Sequence, residues 1–328
     1  MSVNVDNLRA CVDLVDAEIA SIIAALTESR AAHAVTMIDL AAAQQQLAVA
    51  LARIVELEGH VDPPPPPASR FLVGASVVGN GPAAQRTAIT AFESQLDGAQ
   101  IQVLRAFSDA WRLWPQHNAS AFLGRGPVIM SNKGTGSWDD LIDSIPADQE
   151  VYLIATPHEI DRPDRGITPA TFRATCAGLL AAVRRSGRSN VHPSVCYTSY
   201  RERDTSPPVG YESTAPFFPD EPDAWVMLLD PYDPNSRISL ADACTPTLTL
   251  WRTYGGHRWG IAEVGTHRTG QPAADWITAG CVWARAEACE TFPWFESAVG
   301  TAAGPTGWFL RNTGPEGVAA FAAQIGPV

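Results

Sequence analysis

Eight short apolar runs recur through the chain after residue 69, at intervals of roughly 25 to 50 residues. They do not alternate apolar and polar residues, so both faces of each run are expected to be buried. The interval fits one strand, one loop and one helix, and eight such units are typical of a (β/α)8 barrel of about 250 residues. The runs cover 71–77, 101–107, 127–131, 151–156, 191–197, 225–230, 259–264 and 307–310.

Four of the intervening segments carry apolar residues at spacings of three and four, which predicts helices over 82–96, 137–145, 169–185 and 275–290. A doubly wound open sheet is the competing architecture. The Gly-Asn-Gly-Pro-Ala-Ala sequence at 79–84, after the first run, loosely resembles a dinucleotide-binding loop. Pro82 restricts that turn, and eight runs favour closure, so we predict the barrel.

The first 62 residues carry a different pattern, a heptad repeat. From Leu8 to Val61, alternating steps of four and three residues reach apolar side chains, with only Ser29, His33 and Thr36 polar along the seam. A single helix of this length, about 80 Å, could not bury such a stripe by itself. We therefore expect a coiled-coil stalk, and folding back onto the following domain is the alternative.

The stalk also indicates an oligomeric state and a domain boundary. Ile19 and Ile22 occupy an a and a d position, which favours three helices, so we expect a homotrimer. The prolines at 63–67 end the helix, because proline lacks the amide donor, and they form a stiff linker. The predicted domains are the stalk at 1–62, the linker at 63–69 and the barrel at 70–328.

Charge and composition exclude several classes of partner. The chain has 35 Asp and Glu against 23 Lys and Arg, a net charge of -12, which argues against a nucleic-acid partner. No apolar run has the length of a membrane helix, and no secretory signal is found, so we expect no membrane insertion. The six cysteines form no Cys-x-x-Cys pair, and we expect neither a metal nor a cofactor.

Two of the predicted strands end in a glutamate at the C-terminal end, where barrel enzymes build their active sites. Glu159 follows the fourth run and Glu263 lies in the seventh. Two such carboxyl groups are typical of glycoside hydrolysis, in which one donates a proton and the other, about 5 to 5.5 Å away, attacks with retention. For either glutamate alone, a helix cap or an arginine partner is the alternative.

The ends of three strands resemble those of a known group of enzymes. The His-Glu pair at 158–159, the Asp-Pro-Tyr sequence at 230–232 and the Ile-Ala-Glu-Val-Gly sequence at 261–265 are similar to the clan A glycoside hydrolase barrels. The His-Glu pair is most similar to family 26, which includes β-mannanases. The resemblance extends over roughly residues 71 to 312.

This resemblance implies roles for particular side chains. Glu159 would be the acid/base and Glu263 the nucleophile, Tyr232 would donate a hydroxyl to the nucleophile, and Arg105 would hold it ionised. His158 and Asp230 belong to the same motifs and would support the substrate site.

Saccharide binding also requires flat aromatic rings and directional polar partners. Trp111 after the second run, Tyr197 in the fifth and Trp308 on the eighth are the candidate platforms, and Asp109 is a candidate hydroxyl partner. Most of the ten tryptophans are expected to be core residues.

A coiled-coil stalk, a proline linker and a glycosidase-like barrel without a signal peptide together resemble phage minor tail proteins. That resemblance implies synthesis in the host cytoplasm, a place in the virion, other phage tail proteins as partners and a host-surface glycan as ligand. The expected function is retaining hydrolysis of a host cell-envelope polysaccharide. Glycan recognition without cleavage and a purely structural tail subunit are the alternatives.

Overall fold

The structure is a computed structural model that describes residues 20–21, 70–160, 166–199, 202, 213–233, 235–297 and 307–326. Apart from residues 20 and 21, which are helical, the predicted stalk at 1–62 lies outside the described residues, and so does the linker at 63–69. The coiled coil, the trimer and the domain boundaries remain predictions.

Eight parallel strands form one sheet in which the first seven pair in chain order and the eighth pairs with the first. In a doubly wound open sheet the strand order reverses direction near the middle, and this sheet has no such reversal. The open-sheet alternative is therefore excluded and the (β/α)8 prediction is confirmed. The strands are β1 Leu72–Val77, β2 Val103–Ser108, β3 Val128–Asn132, β4 Val151–Ile154, β5 Val191–Thr198, β6 Val226–Asp230, β7 Arg258–Ile261 and β8 Thr291–Glu296.

The barrel is nearly closed at the seam between β7 and β8. The backbone N–H of Val264 donates to the carbonyl of Pro293 at 3.0 Å, and that of Phe295 donates to the carbonyl of Val264 at 2.8 Å. Lower in the seam, the Thr291 hydroxyl donates to the carbonyl of Ile261 at 2.8 Å. A side chain thus supplies part of the pairing there.

Helices follow most of the strands and pack on the outside of the barrel. The helix after β4 begins as its sequence predicts, because Thr168 Oγ1 accepts from the N–H of Thr171 at 3.2 Å and Pro169 occupies the first turn. The helices are α1 Pro82–Glu93, α2 Trp138–Ser144, α3 Pro169–Ser186, α4 Leu240–Thr253, α5 Gln271–Ala286 and α6 Gly314–Ala322.

Short 3-10 helices stand in two of the connections where a barrel usually has an α-helix. They are Trp114–Gln116 and Asn118–Phe122 between β2 and β3, and Ala215–Phe217 and Pro222–Ala224 between β5 and β6. Within the described part of the chain, no helix is both long and apolar enough to cross a bilayer.

Side chains alternate between the inside and the outside of the barrel along each strand, and both sides are buried. Outward side chains pack against the helices. Inward side chains form a separate apolar cluster, consisting of Leu72, Val103, Ile129, Tyr152, Ile154, Cys196, Val226, Leu228 and Ala262. This double burial explains why the runs do not alternate.

The eighth strand lies elsewhere than the sequence predicts. The expected run at 307–310 is a turn that leads into the 3-10 helix Leu310–Thr313, and the strand is Thr291–Glu296. A central strand rarely contains a proline, so the presence of Pro293 weakens the prediction of a strand at 291–296 from the sequence. The proline is tolerated because β8 meets β7 through only a few backbone hydrogen bonds.

Candidate active site

A break after β7 presents Glu263 at the C-terminal opening of the barrel. β7 ends at Ile261, and Val264 pairs with β8 only as an isolated bridge, so Glu263 lies in an interrupted part of the seam. The residue is 5% exposed. Ser76 Oγ donates to its Oε1 at 2.6 Å, and the Tyr232 hydroxyl donates to its Oε2 at 2.5 Å. Each carboxylate oxygen therefore has a hydroxyl donor that fixes its orientation.

Arg105 brings a positive charge to the same interior. It lies on β2, is fully buried, and its Nη1 donates to Ser131 Oγ at 2.8 Å. Its guanidinium lies over the Phe107 ring, 4.3 Å from the ring centre. Among the described residues, Nε and Nη2 of Arg105 have no hydrogen-bond partner.

Asp230 ends β6 and is also fully buried. Cys196 Sγ donates to its Oδ2 at 3.1 Å, and its Oδ1 has no hydrogen-bond partner in the described part of the chain. Burial raises the pKa of Asp230 well above its usual range, the negative charges of Glu263 and Glu159 raise it further, and Arg105 opposes them.

The pKa of Glu263 is raised as well. Burial is the largest cause, and the charge of Glu159 adds to it. Arg105 and the hydroxyls of Ser76 and Tyr232 lower this pKa, but they do not outweigh burial. The described cluster therefore holds a proton more readily than exposed carboxyl groups do.

Glu159 reaches this cluster from the loop after β4. Its backbone has φ 52, in the left-handed region that non-glycine residues seldom adopt, and its N–H donates to the carbonyl of Cys196 at 2.9 Å. Its charge acts on Asp230, Glu263 and Tyr232. The two glutamates singled out in the sequence therefore lie within electrostatic reach of each other.

The neighbouring aromatic residues extend the site in two directions. The His158 ring lies 5.4 Å from the Phe107 ring, next to Arg105. On the other side, the Trp308 ring lies 5.1 Å from the Tyr232 ring and stacks on His267 at 4.1 Å. Trp308 thus lies beside Tyr232, in the segment after β8 and not on the predicted eighth strand.

Trp111 and Asp109 lie on the loop after β2. The Trp111 ring packs edge-on against Trp138 at 4.8 Å, and Asp109, with a side chain 93% exposed, pairs with Lys133 Nζ at 2.7 Å. These contacts tie the loop after β2 to the segment that follows β3.

Tyr197 requires a correction, because it is a packing residue. It is fully buried and faces the helices, where its ring packs between Phe172 and Phe218. Its hydroxyl donates to the carbonyl of Phe217 at 3.0 Å. The inward residue at this level of β5 is its neighbour Cys196, so Tyr197 is turned away from the barrel interior.

Sequence reasoning missed Ser76, Phe107, Ser131 and Cys196. They are all inward-facing positions near the C-terminal ends of their strands, and that alternation is the signal that could have found them. In the part of the chain that the structure describes, no group of three or more His, Cys, Asp or Glu side chains could hold a metal ion.

No protein-family model and no curated protein matches the sequence, whereas solved structures match the fold. A double mutant of an endo-β-1,4-mannanase from Cellulomonas fimi has a TM-score of 0.51 and 14% identity, over 77% of this chain and 70% of that chain. A GH128 exo-β-1,3-glucanase from Aureobasidium namibiae has a TM-score of 0.49 and 12% identity, over 79% and 97%. A GH26 β-mannanase from Bacteroides ovatus has a TM-score of 0.48 and 14% identity, over 78% and 88%.

These structural neighbours are glycoside hydrolases. The likeness to the Cellulomonas fimi mannanase, at 14% identity, shows the (β/α)8 fold alone.

Proposed function

We propose that the protein is a retaining glycoside hydrolase that acts on a polysaccharide, with Glu263 as the nucleophile and Glu159 as the acid/base. One observation carries the proposal. Glu263 is a buried carboxylate at the C-terminal opening of the barrel, oriented through both oxygens by Ser76 and Tyr232, within electrostatic reach of a second glutamate.

The chemistry has two steps. In the first, a carboxylate oxygen of Glu263 attacks the anomeric carbon, the bond to the leaving oxygen breaks, and Glu159 transfers its proton to that oxygen. In the second, Glu159 removes a proton from water, the water oxygen attacks the anomeric carbon, and the ester bond to Glu263 breaks. Both carboxyl groups then return to their initial protonation states.

The surrounding groups fit this division of roles. The Arg105 charge and the two hydroxyl donors oppose the burial of Glu263 and so favour its ionised, nucleophilic form. Arg105 Nε and Nη2 and Asp230 Oδ1 are buried polar atoms without partners among the described residues, and such atoms cost about 1 to 3 kcal/mol each. Such unsatisfied groups are typical of functional sites, which supports placing the substrate site at this end of the barrel.

The substrate setting is a further part of the proposal. The heptad pattern at 1–62 supports a barrel carried on a trimeric stalk, as in phage minor tail proteins. In that setting the protein is made in the host cytoplasm, is assembled with other tail proteins into the virion, and acts on a host cell-envelope polysaccharide. Three barrels on one stalk would raise the effective concentration of sites at a glycan surface.

One observation favours a second function, glycan recognition without cleavage. Burial raises the pKa of Glu263 and so favours its protonated form, whereas only the ionised form attacks the anomeric carbon. A receptor-binding module would bind the same polysaccharide and release no product.

The two functions are separated by measuring reducing ends released by the full-length protein. The panel of polysaccharides includes mannan, β-glucans and bacterial cell-envelope glycan. We expect release by the wild type and by Glu290→Gln, a matched control in which the carboxyl group lies at the opposite end of the barrel. Glu159→Gln and Glu263→Gln should release none while they retain the wild-type circular dichroism spectrum. Unchanged release by Glu263→Gln would disprove the mechanism, and binding without release would favour recognition alone.

A further inference from the structure

The loops after β6 and β7 pair again above the barrel. Tyr232 pairs with Gly265, and Asp233 pairs with Thr266, in a parallel ladder separate from the main sheet. We call residues 232–233 and 265–266 the rim ladder. Its first residue, Tyr232, is the one whose hydroxyl donates to Glu263.

A single buried carboxylate joins the two sides of the rim ladder. Asp233 is 1% exposed, and its Oδ1 accepts from the backbone N–H groups of Arg237 and Ile238 at 2.8 and 3.1 Å. Its Oδ2 accepts from Thr266 Oγ1 at 3.1 Å and from Arg268 Nε at 2.9 Å. One oxygen therefore holds the loop after β6, and the other holds the loop after β7.

Arg268 connects the rim ladder to the helix layer. Its Nη2 donates to the carbonyl of Ile238 at 3.3 Å, and the Trp276 indole of α5 donates to the same carbonyl at 2.8 Å. The Arg268 side chain is 23% exposed and that of Asp233 is 1% exposed. Removal of one member of such a shielded pair leaves the other without its partner, so the geometry of both loops depends on the pair.

The rim ladder also supports the aromatic side of the site. A Cβ atom at Gly265 would lie 2.8 Å from Trp308 Cε3, so the indole packs directly on the ladder backbone. The same ring lies against Tyr232 and His267. A shift of the ladder would therefore move both the Tyr232 hydroxyl and the Trp308 ring.

We infer that Asp233 is a positioning residue: its ion pair with Arg268 fixes the rim ladder and thereby holds the Tyr232 hydroxyl on Glu263 Oε2. Asp233 is not a catalytic residue, because its contacts are with the loops and not with the carboxyl cluster. The inference deepens the proposed function and rests on it, since Glu263 is taken as the reacting carboxylate.

Asp233→Asn is the sharpest variant for this inference. The oxygen of the asparagine side chain can still accept from the two backbone N–H groups. The NH2 group of the same side chain faces the donors of Thr266 and Arg268, so the ion pair is lost with little change in volume. Asp242→Asn is the matched control, because Asp242 accepts from Ser239 at the start of α4, on the exposed surface.

The measurement is the pKa of Glu263 in the full-length protein without substrate, followed by carbon-13 NMR of glutamate labelled at the side-chain carboxyl. Glu263→Gln assigns the signal. Tyr232→Phe should raise this pKa, because the Tyr232 hydrogen bond lowers it. Asp233→Asn should raise it too, and Asp233→Asn combined with Tyr232→Phe should raise it no further than Tyr232→Phe alone, because both act through one hydrogen bond. Asp242→Asn should leave it unchanged.

The direction of the Glu263 pKa shift in Asp233→Asn distinguishes a positioning role of Asp233 from a direct effect of its charge. Removal of a negative charge at Asp233 would by itself lower the pKa of Glu263, whereas loss of the Tyr232 hydrogen bond raises it. The groups that face Glu263, namely Arg105, Ser76, Tyr232, Asp230 and Glu159, are otherwise unchanged in this variant. An unchanged or lowered pKa in Asp233→Asn, or shifts that add in the double variant, would overturn the inference.

A second variant and a second readout keep the test decisive. Arg268→Lys keeps the positive charge but removes the planar Nε donor, so it should raise the pKa of Glu263 in the same direction even where Asp233→Asn does not fold. In active protein, Asp233→Asn should lower kcat by about tenfold with little change in KM. Absence of reducing-end release by the wild type would refute the proposed function, whereas the NMR result decides the role of Asp233 by itself.

Discussion

Charged side chains lie at both ends of the barrel interior, partly exposed at the N-terminal end and buried at the C-terminal end, and their pairing differs. At the N-terminal end, Glu290 accepts from Arg258 Nε and Nη2 at 2.7 and 2.8 Å and from the Tyr152 hydroxyl at 2.9 Å. At the C-terminal end, Arg105 and Asp230 are fully buried and keep polar atoms without partners among the described residues. Complete pairing suits a stabilising role, and incomplete pairing suits a ligand site.

The titration of the two ends differs in the same way. At the N-terminal end, His192 Nε2 lies 3.3 Å from Glu150 Oε1, and this contact is the largest cause of the lowered pKa of Glu150. At the C-terminal end, burial raises the pKa of Glu263 and Asp230. A lowered carboxyl pKa stabilises the fold above the unfolded value, and a raised one withdraws stability as pH rises through it. At neutral pH the N-terminal carboxyl groups therefore add to the free energy of unfolding, and the C-terminal carboxyl groups reduce it.

The largest expected contrast comes from the same substitution at each end. Glu263→Gln should lower kcat/KM by roughly 10⁴-fold or more, because it removes the nucleophile. Glu290→Gln should leave kcat/KM within about twofold and instead lower the free energy of unfolding by about 1 kcal/mol, because the partly exposed Arg258 loses its charged partner. Steady-state kinetics and urea unfolding on both variants measure this. Equal losses of activity in the two variants would contradict a catalytic role confined to the C-terminal end.

A smaller effect is expected from Ser76→Ala. Loss of its hydroxyl removes a donor to Glu263 and raises the pKa of that carboxyl group further. Because the nucleophile must be ionised, the acid limb of the pH profile should move to higher pH, with kcat/KM reduced about tenfold at the acid end and less at neutral pH. A uniform loss at every pH would mean that Ser76 does not act through the ionisation of Glu263.

Asp230→Asn should show how much the ionisation of Asp230 lowers the free energy of unfolding. The pKa of Asp230 is raised well above its usual range, so its ionisation destabilises the fold as pH rises. We expect the variant to be more stable than the wild type at neutral pH by about 1 kcal/mol, with the gain vanishing in acid, while its activity falls. Thermal unfolding across pH measures the gain, and a loss of stability at neutral pH would contradict this reading.

The smallest effect is expected at Tyr197, which lies outside the barrel interior. Tyr197→Phe removes one hydrogen bond to the carbonyl of Phe217 and should cost about 1 kcal/mol of unfolding free energy with no change in KM. A raised KM would indicate that Tyr197 contacts the substrate.

The parts of the fold that could be predicted are those with an unambiguous local pattern. The first seven strands are mostly apolar without alternation, and Thr168-Pro169 begins α3 as expected. The helix α4 was not predicted, because Pro246 lies inside it and interrupts its pattern. The eighth strand was misplaced although a proline alone does not hide a strand, since β5 contains Pro193 and was predicted; Pro293 lies in the middle of a run of only six residues.

The candidate site was predictable only where a strand ends in a charged residue. Glu159 and Glu263 interrupt the apolar pattern and are visible in the sequence, whereas Ser76 and Cys196 are small residues inside buried strands and are marked only by the alternation of inward and outward positions. Tyr197 was assigned to the site because one residue of register decides which face of a strand a side chain takes. The ion pair of Asp233 with Arg268 depends on two loops meeting in space, which spacing alone does not reveal.

The central claim is that Glu263 becomes covalently glycosylated during turnover, and peptide mass analysis tests it most directly. Full-length protein that releases reducing ends is incubated with 2-deoxy-2-fluoroglycosyl fluorides of the gluco and manno configurations and is then digested with trypsin. The peptide covering 259–268 contains Glu263 as its only carboxyl side chain. We predict one added glycosyl unit on this peptide and none in Glu263→Gln. A glycosyl ester on another peptide, or hydrolysis with inversion by unlabelled protein, would contradict the claim.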